Sequence, residues 1–160
     1  MTVQLWKDRT GGIIDPELFS TTAEALAREV NQERLASRDK VNKPTQIRKF
    51  FDEVNRYKGM AQASPDDFAA LLPYIKMVNA KAAYAAGRDL IGVTFKGFIS
   101  DSLRQVHDRK DFELFCGFFE AFLGYYKYCV EKEGNPGEHR SAPSSQNYRR
   151  EYVPNQRPQR

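Results

Sequence analysis

Cations recur on one face of each of two predicted helices, and these are the residues best suited to bind a ligand. Lys49 and Arg56 are seven residues apart, so their side chains project within about 20° of each other. Arg48 lies beside Lys49, outside the apolar stripe of the same helix. On the second helix, Lys81 and Arg88 share a face with a tyrosine between them. Lysine and arginine neutralise phosphates, so both faces suit the sugar–phosphate backbone of RNA.

The overall charge favours this interpretation only weakly. The chain has 160 residues and a net charge of +4, but residues 134–160 hold five arginines against two glutamates and carry +3 of it. Residues 1–133 therefore carry only +1, and any basic surface on them depends on how the cations are placed. Solvated helix faces are normally charged. The pattern thus leaves open a helical adaptor that binds only protein and holds these charges in solvent.

Catalytic and metal-binding patterns are weak in this sequence. The two histidines are His107 and His139, and a metal site needs three or four ligands at compatible spacing. Cys116 and Cys129 are thirteen residues apart on one predicted helix, so about 220° separates their directions and they cannot pair. A nucleophilic pair of Cys116 with His107 is an alternative, although cysteine on an aromatic helix usually behaves as a small hydrophobe. We therefore expect no enzyme activity, no metal and no cofactor.

Hydrophobic periodicity predicts an all-α fold, a compact bundle of five or six helices. Apolar residues recur at helical spacing in five stretches, approximately residues 22–37, 46–60, 65–87, 94–106 and 110–132. Pro73 must kink or split the third of these helices because it lacks a backbone N–H. The residues expected to cap the helix starts are Ser20 to Thr22, Thr45, Ser64 and Thr94.

The last predicted helix is apolar on nearly every side, which is typical of a core or interface helix. Its polar positions fall on one face and are Glu113, Gly117, Glu120, Gly124, Lys127 and Glu131. The two glycines would let a second backbone approach closely, so this face suits close helix packing or the stacking of subunits. On this hypothesis, replacing Gly124 with leucine disturbs packing or assembly.

The chain divides into one helical bundle domain, residues 1–133, and a predicted disordered basic tail, residues 134–160. The tail is rich in Pro, Ser, Asn, Gln and Arg, and it cannot bury enough surface to offset its ordering entropy. It either adds non-specific affinity for RNA or serves as a solubilising end. The most apolar stretch contains Glu120 and Lys127, so we expect no membrane span. With two cysteines and no secretory signal, a cytoplasmic location is expected.

Four stretches of the sequence resemble one known family. They are DPELFSTTAEALAREV, TQIRKFFDEVN, LLPYIKMVNAKAAYAAGR and DFELFCGFFEAFLGYYKY, which together cover most of residues 15–130 in the family's order. This combination resembles the small helical subunit of the type III-A CRISPR effector, the Csm complex. The segment from Gly134 onward lies outside the resemblance.

That resemblance implies a small all-α protein without catalytic activity, whose copies stack beside the backbone subunit and help to hold the guide RNA and the target RNA. Other Csm subunits would be its partners, and isolated copies could form a homodimer. The implied RNA-binding residues are Arg48 and Lys49 in QIRKF and Lys81 and Arg88 in KAAYAAGR, with Arg56 added from helical periodicity. Because a few phosphate contacts give weak affinity, we expect firm binding only in the assembly, where repetition raises avidity.

Overall fold

Residues 1–133 are described by the computed structural model, and they form six α-helices. These are α1 (Ala23–Ala36), α2 (Pro44–Ala63), α3 (Phe68–Lys76), α4 (Val78–Gly87), α5 (Val93–Gln105) and α6 (Arg109–Glu133). A π-helical turn (Leu18–Thr22) precedes α1 and a 3₁₀ turn (Pro65–Asp67) precedes α3, and this part of the chain contains no β-strand. The predicted all-α class and helix number are confirmed, whereas the predicted tail lies outside the described residues.

The central helix of the bundle is α6, which packs against α1, α2 and α5. Its largest buried side chains are aromatic and are Phe112, Phe115, Phe118, Phe119, Phe122 and Tyr126. Phe98 of α5 lies among them, and its ring centroid is 5.3 Å from that of Phe119 in an edge-to-face arrangement. Such pairs contribute about 0.5–1.5 kcal/mol each beyond the burial of their surface. The predicted core role of this helix is confirmed, and its predicted polar face is largely exposed.

The helix starts differ from the expected capping pattern. Thr22 and Ser64 occupy N-cap positions, but neither makes a side-chain capping bond. α2 begins at Pro44, because the fixed φ and missing N–H of proline suit the first helical position, so Thr45 lies inside the helix. Thr94 also lies inside its helix, in the first turn of α5. The predicted N-cap positions of Thr22 and Ser64 are therefore confirmed, without the expected side-chain bond, whereas the capping predictions for Thr45 and Thr94 are wrong.

The structure has two helices, α3 and α4, where the sequence pattern predicts one stretch at residues 65–87. The split expected from Pro73 is confirmed, although the chain stays helical through the proline and breaks at Met77, one turn later. The Met77 N–H donates to the carbonyls of both Pro73 and Tyr74, which tightens the backbone locally. α4 ends at Gly87, as the sequence predicts. No described helix combines the length and the apolar composition that crossing a bilayer requires.

The first residues of the chain are tied to the start of α6 through the buried carboxylate of Asp111. Trp6 Nε1 donates to it at 2.8 Å, and the Arg9 guanidinium donates at 3.0 and 2.9 Å. The backbone N–H groups of His107 and Asp108 complete its environment. Burial alone would raise the pKa of Asp111, but the donors, with Arg9 the strongest, outweigh it and lower the pKa to about 2.

We predict that Asp111 makes folding stability fall in acid. Its pKa is 3.8 without these partners and about 2 in the folded chain, so the unfolded state binds the proton more readily. The stabilisation, about 2 kcal/mol, is complete above pH 4 and is lost as the pH falls through about 2. Urea unfolding of the wild type and Asp111→Asn between pH 5 and pH 2 measures this, because only the wild type loses that contribution. Parallel pH curves for the two proteins would contradict the prediction.

Candidate nucleic-acid interface

α2 and the α3–α4 pair lie side by side and run in opposite directions. Near the middle of both, the ammonium of Lys81 forms an ion pair with the carboxylate of Glu53. Beyond the end of α4, the Leu90 carbonyl accepts a 3.0 Å hydrogen bond from the N–H of Asn42, which precedes α2. The end of α4 therefore lies beside the start of α2. We call the surface between these helices the α2/α4 groove.

Four of the five predicted RNA-binding residues fall on the helix sides that border this surface, because Lys81 pairs across it and helical spacing puts the other three on the same sides of α2 and α4. Lys49 is one turn before Glu53 and Arg56 is one turn after it, and all three share one side of α2. With a rise of 1.5 Å per residue, Lys49 is displaced about 6 Å from the Glu53–Lys81 pair. Arg88 is displaced about 10 Å in the same direction, because the helices are antiparallel. Lys49 and Arg88 therefore lie at the same end of the groove.

Arg48 is the predicted residue that the structure separates from the others. It is turned about 100° from Lys49 around the helix, toward α6. Its guanidinium lies 5.4 Å from the ring centroid of Phe51 and forms a 2.8 Å ion pair with Asp52. It borders a second groove, between α2 and α6, whose rim Lys49 also reaches. Arg48 and Lys49 therefore share the α2/α6 groove, and Lys49 also lies on the side of α2 that carries Glu53.

The cations of the α2/α4 groove differ in their partners. Lys81 is neutralised by Glu53. Within residues 1–133, Lys49, Arg56 and Arg88 form no ion pair with a carboxylate. The guanidinium of Arg56 instead lies 4.6 Å from the ring centroid of its neighbour Tyr57. Three positive charges along the groove therefore remain available for an anionic ligand.

Sequence reasoning missed two further cations at the Arg88 end of the groove. Lys40 and Lys43 are exposed in the loop between α1 and α2. The hydrogen bond from Asn42 to Leu90 holds this loop against the chain that follows α4. The charged composition of the loop was visible in the sequence, but its position beside α4 depends on a contact between distant residues.

Asn42 is the buried residue that fixes this end of the groove. Its side-chain amide donates to the Val30 carbonyl at 3.1 Å and to the Glu33 carboxylate at 3.0 Å. Its side-chain oxygen accepts the Gly92 N–H at 2.7 Å, and its own carbonyl accepts the Tyr126 hydroxyl. Its φ of 57° lies in the left-handed region, which asparagine tolerates better than most residues. The start of α2 is therefore held by α1, α6 and the α4–α5 loop at once.

The alternative of a nucleophilic cysteine receives no support from the surroundings of Cys116. Burial raises the pKa of the Cys116 thiol to about 12, whereas the thiolate is the reactive form. His107 is exposed in the turn before α6, and its backbone N–H is bound to Asp111. Among the residues that the structure describes, no three His, Cys, Asp or Glu side chains are grouped to hold a metal ion.

Comparison with known proteins gives one match. The model of the family described as Csm2 Type III-A matches residues 14–132, a span that includes all of α1–α5, nearly all of α6 and both sides of the α2/α4 groove. No curated protein and no solved structure matches the chain significantly.

We predict that Asn42→Ala destabilises the fold by about 2–4 kcal/mol. The substitution leaves the Gly92 N–H without its partner, removes the donor to the Val30 carbonyl and the Glu33 carboxylate, and places alanine in a left-handed conformation. Asn55→Ala, at an exposed position of α2, is the matched control and should change stability by about 0.5 kcal/mol or less. Urea unfolding at neutral pH measures both. If Asn42→Ala unfolded at the same urea concentration as the control, the assigned role of Asn42 would be wrong.

Proposed function

The chain belongs to the Csm2 Type III-A family, the small subunits of the type III-A Csm effector complex, and from that premise we propose that it binds RNA in the complex. The proposed ligands are the backbones of the guide RNA and the paired target RNA. The proposal includes no catalytic step, and the protein acts in the cytoplasm with the other Csm subunits. The observation that carries it is the α2/α4 groove, in which Lys49, Arg56 and Arg88 form no ion pair with any carboxylate of residues 1–133.

The chemistry of the groove suits phosphates. Arginine can donate two parallel hydrogen bonds to one phosphate, and lysine supplies a compact charge. Each neutralised phosphate releases counterions and contributes about 0.7 to 0.9 to the logarithmic salt slope. Three or four contacts therefore bind weakly in one subunit. When several copies stack along one RNA, each further contact becomes effectively intramolecular, and the avidity of the assembly rises.

A second surface supports the stacking of copies and the contact with other subunits. The polar face of α6 is largely exposed, and among residues 1–133 a Cβ added at Gly124 would have nothing within 4 Å apart from its own stretch of helix. Gly117 differs, because the ring of Phe19 already lies 3.3 Å from its Cβ position. The fold itself therefore does not require a glycine at residue 124. We propose that a neighbouring subunit approaches α6 there, which is the feature of the adaptor alternative that the structure favours.

Reversing the two charges at one end of the groove tests the RNA-binding proposal. Lys49→Glu with Arg88→Glu should lower RNA affinity at least tenfold and reduce the logarithmic salt slope by about 1.4 to 1.8, because two phosphate contacts are lost. Incorporation into the Csm complex should continue. Fluorescence anisotropy over a salt series measures the affinity, and nuclease protection of the guide RNA measures binding in the complex.

The matched control carries the same change in charge elsewhere. Arg104→Glu with Lys110→Glu alters two exposed positions, and Arg104 borders Lys76 and Asn79 on the side of α3–α4 away from the groove. The RNA affinity of this control should remain near that of the wild type, apart from the small general effect of the lower net charge.

Intact RNA protection in the Lys49/Arg88 variant would contradict the RNA-binding proposal and support the adaptor that binds only protein.

Gly124→Leu tests the proposed subunit contact on α6. The side chain would enter open space, and replacing a helical glycine favours the helix, so the free energy of unfolding should be unchanged or higher by up to about 1 kcal/mol. Incorporation into the complex should fall, as measured by copurification with the other subunits. Gly59→Leu, at another open helical position on α2, is the control and should assemble normally. Normal incorporation of Gly124→Leu would refute a close approach at this face.

A further inference from the structure

Large apolar side chains are exposed along the α2/α4 groove, although most of the phenylalanine side chains are buried in the core. Tyr74 is 57% exposed and Tyr84 is 65% exposed. Met77 lies between the two tyrosines in the sequence, and Met60 lies on α2. Both methionines are also exposed. Exposed apolar residues that are scattered singly need no explanation, but a continuous patch of this kind marks a binding surface.

These residues form one stripe on α3–α4 in which rings and cations alternate. Tyr74, Met77, Lys81, Tyr84 and Arg88 are separated by three and four residues in turn, which is the spacing of one helix face. The break at Met77 does not turn the stripe away, because a residue on each side of the break adjoins α2. Lys81 contacts α2 through its ion pair, and Tyr74 shares a surface depression with residues of α2.

One arginine contacts Tyr84, and another lines the same surface depression as Tyr74. The Arg88 guanidinium is 5.7 Å from the ring centroid of Tyr84 and donates a 3.2 Å hydrogen bond to its hydroxyl. Arg56 and Met60 line the same depression as Tyr74, whose volume of about 620 Å³ is within the range of sites that hold small ligands. A phosphate bound by either arginine would therefore carry its nucleoside to within reach of a tyrosine ring.

We infer that Tyr74 and Tyr84 are stacking platforms for unpaired RNA bases, an inference that rests on the proposed RNA-binding function and names the form of RNA bound. Aromatic side chains stack on the faces of bases, and these faces are accessible only where the RNA is single-stranded or a base is turned out of a helix. A duplex would offer this groove its phosphates alone. The core of a protein interface is depleted of charged residues, whereas this stripe contains two cations, Lys81 and Arg88, two turns apart.

The test compares two RNA probes on the full-length chain at low salt. The variant Tyr74→Leu/Tyr84→Leu keeps apolar side chains at both positions and all the cations. We expect it to bind a short single-stranded cytidine–adenosine repeat about tenfold or more weakly than the wild type. Its affinity for an RNA duplex of equal length and its salt slope should not change, because the phosphate contacts remain. Tyr84→Trp, which retains a stacking ring, should bind the single strand at least as tightly as the wild type.

Tyr128→Leu is the matched control. Tyr128 is 56% exposed on α6, and Lys132 lies 5.9 Å from its ring centroid, so it repeats the ring-and-cation pair outside the groove. Its replacement should leave single-strand affinity unchanged.

The possible outcomes separate this inference from the function on which it rests. If the tyrosine variant bound the single strand like the wild type while the Lys49/Arg88 charge reversal weakened binding, stacking would be overturned and RNA binding retained. If charge reversal also had no effect, the proposed function itself would fail. If the tyrosine variant lost incorporation into the complex with unchanged RNA affinity, the stripe would be a protein contact, which also overturns the inference.

Discussion

The hydrogen bonds of one buried asparagine hold the candidate interface together. Every polar group of Asn42 has a partner, and these partners come from α1, α6 and the loop between α4 and α5. A buried network of this kind stabilises one arrangement strongly when complete and is costly when any member is missing. The Glu53–Lys81 pair gives a second point of contact farther along the same helices. Two fixed points are sufficient to set the direction of α2 against α4, and hence the order of the cations along their groove.

The sequence is most informative where local periodicity decides the structure. Phe98, Phe119 and their neighbours recur at helical spacing, so the helices and their core faces could be predicted from the residues alone. The capping residues could not, because Pro44 sets the start of α2 more strongly than the hydroxyl of Thr45. The structural role of Asn42 could not be predicted from the sequence either. Within the sequence it is a polar residue in a charged linker, and its role comes entirely from partners up to 84 residues away.

The candidate site was predictable in part for the same reason. Spacing placed Lys81 with Arg88 and Lys49 with Arg56, but nothing in the spacing related the two helices to each other. That relation comes from the ion pair of Lys81 with Glu53 and from the loop contact of Asn42. Arg48 was grouped with Lys49 because both lie outside the apolar stripe and within QIRKF, although neighbouring positions on a helix point about 100° apart. Pairing with Asp52 holds it beside the other groove.

The proposal of separate surfaces for RNA and for neighbouring subunits follows from the small net charge of residues 1–133. With a net charge of +1 over residues 1–133, general attraction for a polyanion is slight, and binding must come from a few placed contacts. Such binding becomes firm only through repetition. In the proposed function the α2/α4 groove binds RNA and the exposed face of α6 contacts neighbouring subunits, so that the subunit contacts supply the assembly on which firm RNA binding depends.

Photo-crosslinking in the assembled Csm complex tests the central claim most directly. RNA carrying 4-thiouridine would be crosslinked to the complex, and the attached peptides of this subunit would be identified by mass spectrometry. We predict crosslinks within residues 40–60 and 74–90, on both sides of the α2/α4 groove. Crosslinks confined to α5, α6 or the tail, with none in the groove, would contradict the account.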